Sequence, residues 1–149
     1  MSVQRLVAAE DEAWRELCAE FDRVPVARFE EPSLTPEGWS AKDAMFHVAG
    51  WMADCGHQLE RIRAGSFDPT EETHEAIERQ TQMWLEQSRT LSPADVRAEF
   101  AASRLRMCEA FGALRELTPE AIEWFEESGA LHYGAHARDL RSWLGSDPA

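Results

Sequence analysis

Apolar residues recur at helical spacing along most of the chain. In the first segment Leu6, Leu17 and Phe21 fall on one face, which predicts a helix from about Val3 to Arg23. The alternating β-branched runs typical of half-buried strands are absent, and Ala, Glu, Leu and Arg dominate the sequence. Three prolines and a glycine interrupt the helical spacing over residues 24–39, which predicts a loop. The pattern therefore predicts an all-α fold.

Capping signals divide the rest of the chain into further helices. Ser40, with Asp43 at the third helical position, resembles a capping box and predicts a second helix that Gly65 ends. Similar signals predict helices over residues 70–88, 93–117 and 130–144, with a short helical segment that opens at Thr118-Pro119. The core candidates of the 93–117 helix are Val96, Phe100, Leu105, Cys108, Phe111 and Leu114. Short connections between long helices predict antiparallel neighbours in a single bundle domain over residues 1–149.

Composition narrows the classes of partner and compartment. The chain has 149 residues and is 44% hydrophobic, which fits one globular domain. A net charge of −13 disfavours nucleic acid, although 15 Lys and Arg residues leave room for a local basic pocket that binds an anionic substrate. No apolar run reaches the roughly 18 residues of a membrane span. The N-terminus resembles no export signal, and the three cysteines form no C-x-x-C pair, so we expect a cytoplasmic protein.

The histidines suggest a metal site without establishing one. His132 and His136 are four residues apart, so they share one face of a helix and can converge on one ion. The alternative interpretation is that both histidines lie at the surface or at a helix cap and bind no metal, because such residues can have the same spacing. His47 lies among apolar neighbours, where a hydrogen-bonded core histidine is the commoner role. His57 points about 80° away from it on the same helix, and His74 lies in an acidic, solvated stretch.

Two segments resemble one known family. WSAKDAMFHVAGW at Trp39–Trp51 and HYGAHARDLRSWL at His132–Leu144 are similar to conserved segments of the DinB-like superfamily. That superfamily includes the N-terminal domain of mycothiol-dependent maleylpyruvate isomerases and the ClbS/DfsB-type proteins. The resemblance implies a DinB-like four-helix bundle, with additional short helices, that binds one Zn²⁺ or Ni²⁺ through His47, His132 and His136.

The chain also departs from that family at two positions. Met52 stands near a position where many members carry an acidic residue, and His132 stands where the isomerase branch often has Glu. These departures argue against the isomerase reaction more than against the metal site.

Three neutral imidazoles with an open fourth position are typical of a catalytic metal. Such an ion activates water or a thiol as a nucleophile at neutral pH. The leading hypothesis is therefore a metal-dependent enzyme that acts on a small electrophile, with a low-molecular-weight thiol such as mycothiol as cosubstrate. The alternatives are a ClbS/DfsB-like toxin or drug protection protein and a non-catalytic metal-binding bundle. The resemblance also implies a homodimer.

Several further side chains are candidates for the same site. Asp54 is a candidate general base, although a solvated helix residue is the simpler interpretation. Asp139 follows His136 by three residues and is either an acceptor for an imidazole N–H or a surface carboxylate. Tyr133 is interpreted as packing. Among the tryptophans, the candidate pocket-lining residues are Trp39, Trp51, Trp84 and Trp143, with core packing as the alternative role.

Overall fold

A computed structural model of the chain describes residues 2–145. It contains six helices: α1 Val3–Asp22, α2 Ala41–Ala64, α3 His74–Ser88, α4 Pro93–Gly112, α5 Pro119–Ser128 and α6 Ala130–Gly145. Short 3₁₀ turns at Val26–Arg28 and Pro69–Glu71 interrupt the two longest connections, and residues 2–145 contain no strand. The predicted all-α bundle is therefore confirmed. No helix in this part of the chain is long and apolar enough to cross a membrane.

The bundle is built from two pairs of parallel helices. In the α2/α4 pair, Lys42 at the start of α2 donates to the carbonyl of Leu91 just before α4, and Gly56 faces the backbone of Met107 further along. The α1/α6 pair is also parallel, because α6 reaches α1 first through Tyr133 and later through Arg141. The predicted antiparallel order holds for α2 and α3, and α3 returns the chain so that α4 can run parallel to α2.

Two predicted boundaries are wrong. The helix predicted from Thr70 begins at His74, because Thr73 caps it and residues 69–71 form a separate 3₁₀ turn. The helix predicted to reach residue 117 ends at Gly112. Leu105 is 61% exposed and is therefore not part of the core, in contrast to Val96, Phe100 and Phe111.

The start of α2 is fixed as predicted. The Ser40 hydroxyl accepts from the Asp43 N–H, and the Asp43 carboxylate accepts from the Ser40 N–H, which completes the capping box. The second Asp43 oxygen accepts from the Ser88 hydroxyl at the end of α3. Gly65 ends the helix with a φ of +77°. Because His47 lies in the second turn, this anchoring also fixes the position of its backbone.

A buried polar network joins α1, α4 and α6. Glu10 is 1% exposed and accepts from the Arg104 guanidinium on α4 at 2.6 and 3.0 Å. It also accepts from the Tyr133 hydroxyl at 2.8 Å. Tyr133 is fully buried and packs edge-on against Trp14, as its interpretation as a packing residue requires. The network connects α6 to α1 and α4 through Tyr133, the residue that follows His132.

Candidate metal centre

Three histidines from two helices converge at one side of the bundle. His47 comes from α2, and His132 and His136 come from successive turns of α6. The centroids of the His132 and His136 rings are 4.6 Å apart, and the His47 ring lies 5.1 and 5.4 Å from them. One ligand nitrogen from each ring lies within 4.8 Å of the other two. No other group of three or more potential ligands comes this close within residues 2–145.

Their surroundings keep the three imidazoles neutral. Burial lowers the pKa of His47 from its ordinary 6.5 to about 3, and the neighbouring His136 adds to the shift. Burial lowers the pKa of His132 to about 2, with smaller contributions from His136 and His47. The pKa of His136 is also lowered by burial, although the Asp139 carboxylate opposes the change. At neutral pH every ring therefore has a lone pair available for a metal ion.

The geometry fits a divalent ion. His136 Nε2 lies 3.0 Å from His132 Nε2, and two neutral rings can share at most one N–H in that contact. Tetrahedral coordination with Zn–N bonds of about 2.0–2.1 Å separates two ligand nitrogens by roughly 3.3 Å, close to this spacing. The Nδ1 atoms of His47 and His132 are buried and have no hydrogen-bond partner among the described residues. Neutral, underbonded imidazoles at this separation are suitable ligands for Zn²⁺ or Ni²⁺.

A cavity of about 600 Å³ opens onto this cluster. His47 and His132 form part of its wall, so an ion held by the three histidines would be reached from the cavity. Its other described lining residues come from α2, α3, α5 and the connection before α3: Trp51, Phe67, Pro69, Glu72, Ile77, Thr81, Glu120, Glu123, Trp124, Glu127 and Ser128. The volume is that of a typical small-molecule site.

The four candidate tryptophans occupy different places. Trp39 packs edge-on against His47 with a centroid distance of 5.0 Å, and Trp51 lines the cavity. Trp84 contacts Trp51 at 5.0 Å and His47 at 6.3 Å. Trp39, Trp84 and Trp143 are not among the described residues that line the cavity. Trp143 is 8% exposed, donates to the Ser33 hydroxyl and lies beneath the Arg28 guanidinium, so it packs the loop before α2.

The two carboxylates expected near the cluster do not contact the imidazoles. Asp139 is exposed, and no hydrogen bond joins it to a histidine ring in residues 2–145, although its charge acts on His136. Asp54 lies in a separate groove between α2, α3 and α4, beside His57. Its electrostatic neighbour Glu72 does line the cavity, so Asp54 is one side chain removed from it. His74 is exposed on α3, as expected, and lies beside Glu78.

Sequence reasoning missed two groups of residues. The first is the acidic side of the cavity, Glu120, Glu123 and Glu127 on α5, which the i, i+3, i+7 spacing could have indicated. The second is Glu10, which continues the apolar stripe of α1 four residues after Leu6 and seven before Leu17. A carboxylate in such a stripe is a sign of a buried ion pair.

Comparisons with known proteins identify a protein of similar fold whose function is not described. No protein-family model matches the chain, and no curated protein matches it. The structure is similar to the crystal structure of an uncharacterised protein from Escherichia coli UTI89, with a TM-score of 0.79. The two chains are 14% identical over 95% of this chain and 92% of the other. At this level of identity the similarity shows a shared fold alone.

Proposed function

We propose that the protein is a divalent-metal-dependent enzyme of the DinB-like type that activates a thiol or a water against a small electrophile. The observation that carries the proposal is the convergence of His47, His132 and His136, the first two of which line a cavity. The segments that carry the family resemblance contain all three histidines. A histidine cluster sealed in the core would favour a structural ion, whereas this one borders a cavity that a substrate can enter.

Each part of the site has a role in this proposal. The three imidazoles hold the ion through nitrogens that burial keeps unprotonated. When bound, the ion supplies Lewis acidity, which lowers the pKa of a thiol or water that reaches it. Trp39 and Trp84 pack against His47 and restrict the access of bulk water to that ring. For a thiol, the sulfur forms the new bond to the electrophile, the leaving group departs with its electron pair, and the thiol proton passes to solvent.

The first experiment tests metal binding. We expect the purified protein to carry one Zn²⁺ or Ni²⁺ per chain by elemental mass spectrometry, and His132→Ala and His136→Ala to lose most of it. His57→Ala and His74→Ala are matched controls because both histidines lie outside the cluster. Circular dichroism of each variant shows whether it still folds. A folded His136→Ala protein with the metal content of the wild type would contradict the proposal.

The second experiment tests the chemistry. A panel of low-molecular-weight thiols is combined with a chromogenic haloarene, and an activated ester tests water as the nucleophile. We expect a rate that disappears on chelation, returns with Zn²⁺ or Ni²⁺ and is absent in His132→Ala. A metal-loaded protein that is inactive in both assays, but binds reactive electrophiles without turnover, would instead favour the protective sequestration that the ClbS/DfsB resemblance implies.

A further inference from the structure

The cavity beside the histidine cluster has an acidic wall. Four carboxylates line it, from Glu72 before α3 and from Glu120, Glu123 and Glu127 on α5. No lysine or arginine is among its described lining residues. The field inside the cavity, apart from a bound ion, is therefore negative.

The carboxylates of α5 form no ion pair with the lysines and arginines of the described chain. Glu120, Glu123 and Glu127 line the cavity and have no ion pair or hydrogen bond within residues 2–145, so no arginine or lysine of the described chain neutralises their charge. The residues of α5 that face the core are Ala121, Phe125 and Ser128. The helix thus presents one apolar face to the bundle and one acidic face to the cavity.

Between the carboxylates the wall is aromatic. Trp51, Phe67 and Trp124 line the cavity and are each only partly buried. The faces of aromatic rings attract organic cations, and the attraction adds to that of nearby carboxylates. Aromatic rings also bury the apolar part of a ligand. An anionic ligand would gain the second effect but would be repelled by the four carboxylates.

We infer that the cavity takes an organic cation, such as an amine or quaternary ammonium compound, with its positive group among the α5 carboxylates and its uncharged part against the aromatic wall. The inference rests on the proposed function, since it names the class of substrate for the same site. It replaces the anionic substrate that the sequence left open. A small electrophile or thiol that carries an amine therefore fits the cavity, and an anionic thiol does not.

A matched set of aromatic probes tests the charge preference. Benzyltrimethylammonium, benzyl alcohol and benzenesulfonate have one ring each and carry a positive, zero and negative charge. Quaternary ammonium has no lone pair, so its binding does not report metal coordination. With metal-loaded protein, tryptophan fluorescence and NMR titrations should show the tightest binding for the cation, weakening as salt is raised. Equal or tighter binding of the sulfonate, or no binding of the cation, would overturn the inference.

Charge-matched variants test the position. Glu123→Gln with Glu127→Gln should weaken binding of benzyltrimethylammonium by about three- to tenfold, as expected for removal of two partly exposed carboxylates and their contact with the cation. Glu116→Gln with Glu126→Gln removes the same charge from residues outside the cavity wall and should leave binding unchanged. An equal effect of both pairs would overturn the inference.

Metal content of the same samples keeps the two proposals separate. If His136→Ala retains metal, the proposed function fails whatever the probes do. If the metal behaves as proposed but the probes show no preference for positive charge, the inference about the substrate fails alone. The cavity variants leave all three metal ligands in place, so their metal content is expected to equal that of the wild type.

Discussion

His47 and His132 each bury an Nδ1 atom that has no partner among the described residues. An unsatisfied buried polar atom costs about 1–3 kcal/mol, so such atoms are uncommon unless they serve a function. Coordination is a role that fits these rings, because one nitrogen from each lies within 4.8 Å of the other two, although an ion would provide a partner only for the nitrogen that binds it. At the residue scale the site therefore depends less on the H-x-x-x-H spacing than on the burial that keeps the rings unprotonated.

Asp54 gives a prediction at the same scale. Burial raises its pKa above the ordinary 3.8, although Gln58 and Glu72 oppose the shift. The folded state therefore binds the proton more tightly than the unfolded state. The stability that this proton contributes is full below about pH 3.8 and is lost as the pH rises through the folded-state value. The ionised Asp54 side chain therefore destabilises the protein at pH 7.

We expect Asp54→Asn to gain stability relative to the wild type between pH 4 and pH 7, by a few tenths to about 1 kcal/mol because the side chain is partly exposed. Urea unfolding at both pH values measures the difference. Glu60→Gln is the control, since Glu60 is exposed on the same helix. A variant that loses stability relative to the wild type as the pH rises would contradict the expected direction of the pKa shift.

At the scale of the elements, the site depends on how closely α3 approaches α2. A Cβ atom at Gly50 would lie 2.5 Å from ring atoms of Trp84. The Trp84 indole, which belongs to α3, therefore occupies the space that a side chain at position 50 of α2 would fill. Trp84 in turn contacts His47 and Trp51. The glycine thus lets α3 bring an aromatic ring against His47 of the histidine cluster and against Trp51 in the cavity wall.

Gly50→Ala should displace Trp84 and destabilise the protein by about 1–3 kcal/mol, the usual cost of overpacking. The near-ultraviolet circular dichroism of the tryptophans should change with it. Gly134→Ala is the matched control in α6, where the added methyl group has no atom within 4 Å in residues 2–145 apart from its chain neighbours and the backbone of its own helix. It should stabilise the protein by about 0.5–1 kcal/mol, because alanine restricts the unfolded chain. Equal effects of the two substitutions would refute the close packing of Trp84.

The helices themselves could be predicted because their signals are local. Apolar spacing and the caps Ser40, Ser92 and Thr118 each act within a few residues of the helix that they define. The convergence of His47 with His132 and His136 depends on tertiary packing, so spacing alone left it open and the family resemblance supplied it. The acidic wall of the cavity was missed because exposed glutamates on a helix are ordinary until their common cavity is seen.

At the scale of the whole molecule, the cluster joins two helices that are far apart in the sequence, α2 and α6. An ion bound to α2 and α6 would connect two helices that are separated by a long stretch of chain. The unfolded chain does not hold the three histidines together, so the ion would bind the folded state alone. Ligands that bind the folded state alone stabilise it by mass action. The contact would add to the Glu10 network, which joins α6 to α1 and α4 from the other side.

Addition of Zn²⁺ at about 100 times its dissociation constant should stabilise the metal-free protein by about 2.7 kcal/mol. For a domain of this size that corresponds to a rise in Tm of roughly 5–10 °C. Differential scanning fluorimetry with and without a chelator measures it. His74→Ala should keep the shift and His136→Ala should lose it. An equal shift in both variants would show that the ion binds elsewhere.

The location of two of the three proposed metal ligands in α6 has a consequence for synthesis in the cell. Ribosomes add about 5–20 residues per second, so His47 leaves the ribosome several seconds before His132 and His136. During that interval the first histidine has no partners, and the incomplete chain cannot capture an ion at this site. If the three histidines hold an ion as proposed, metal loading would be a late event that follows the emergence of α6 and depends on correct closure of the bundle.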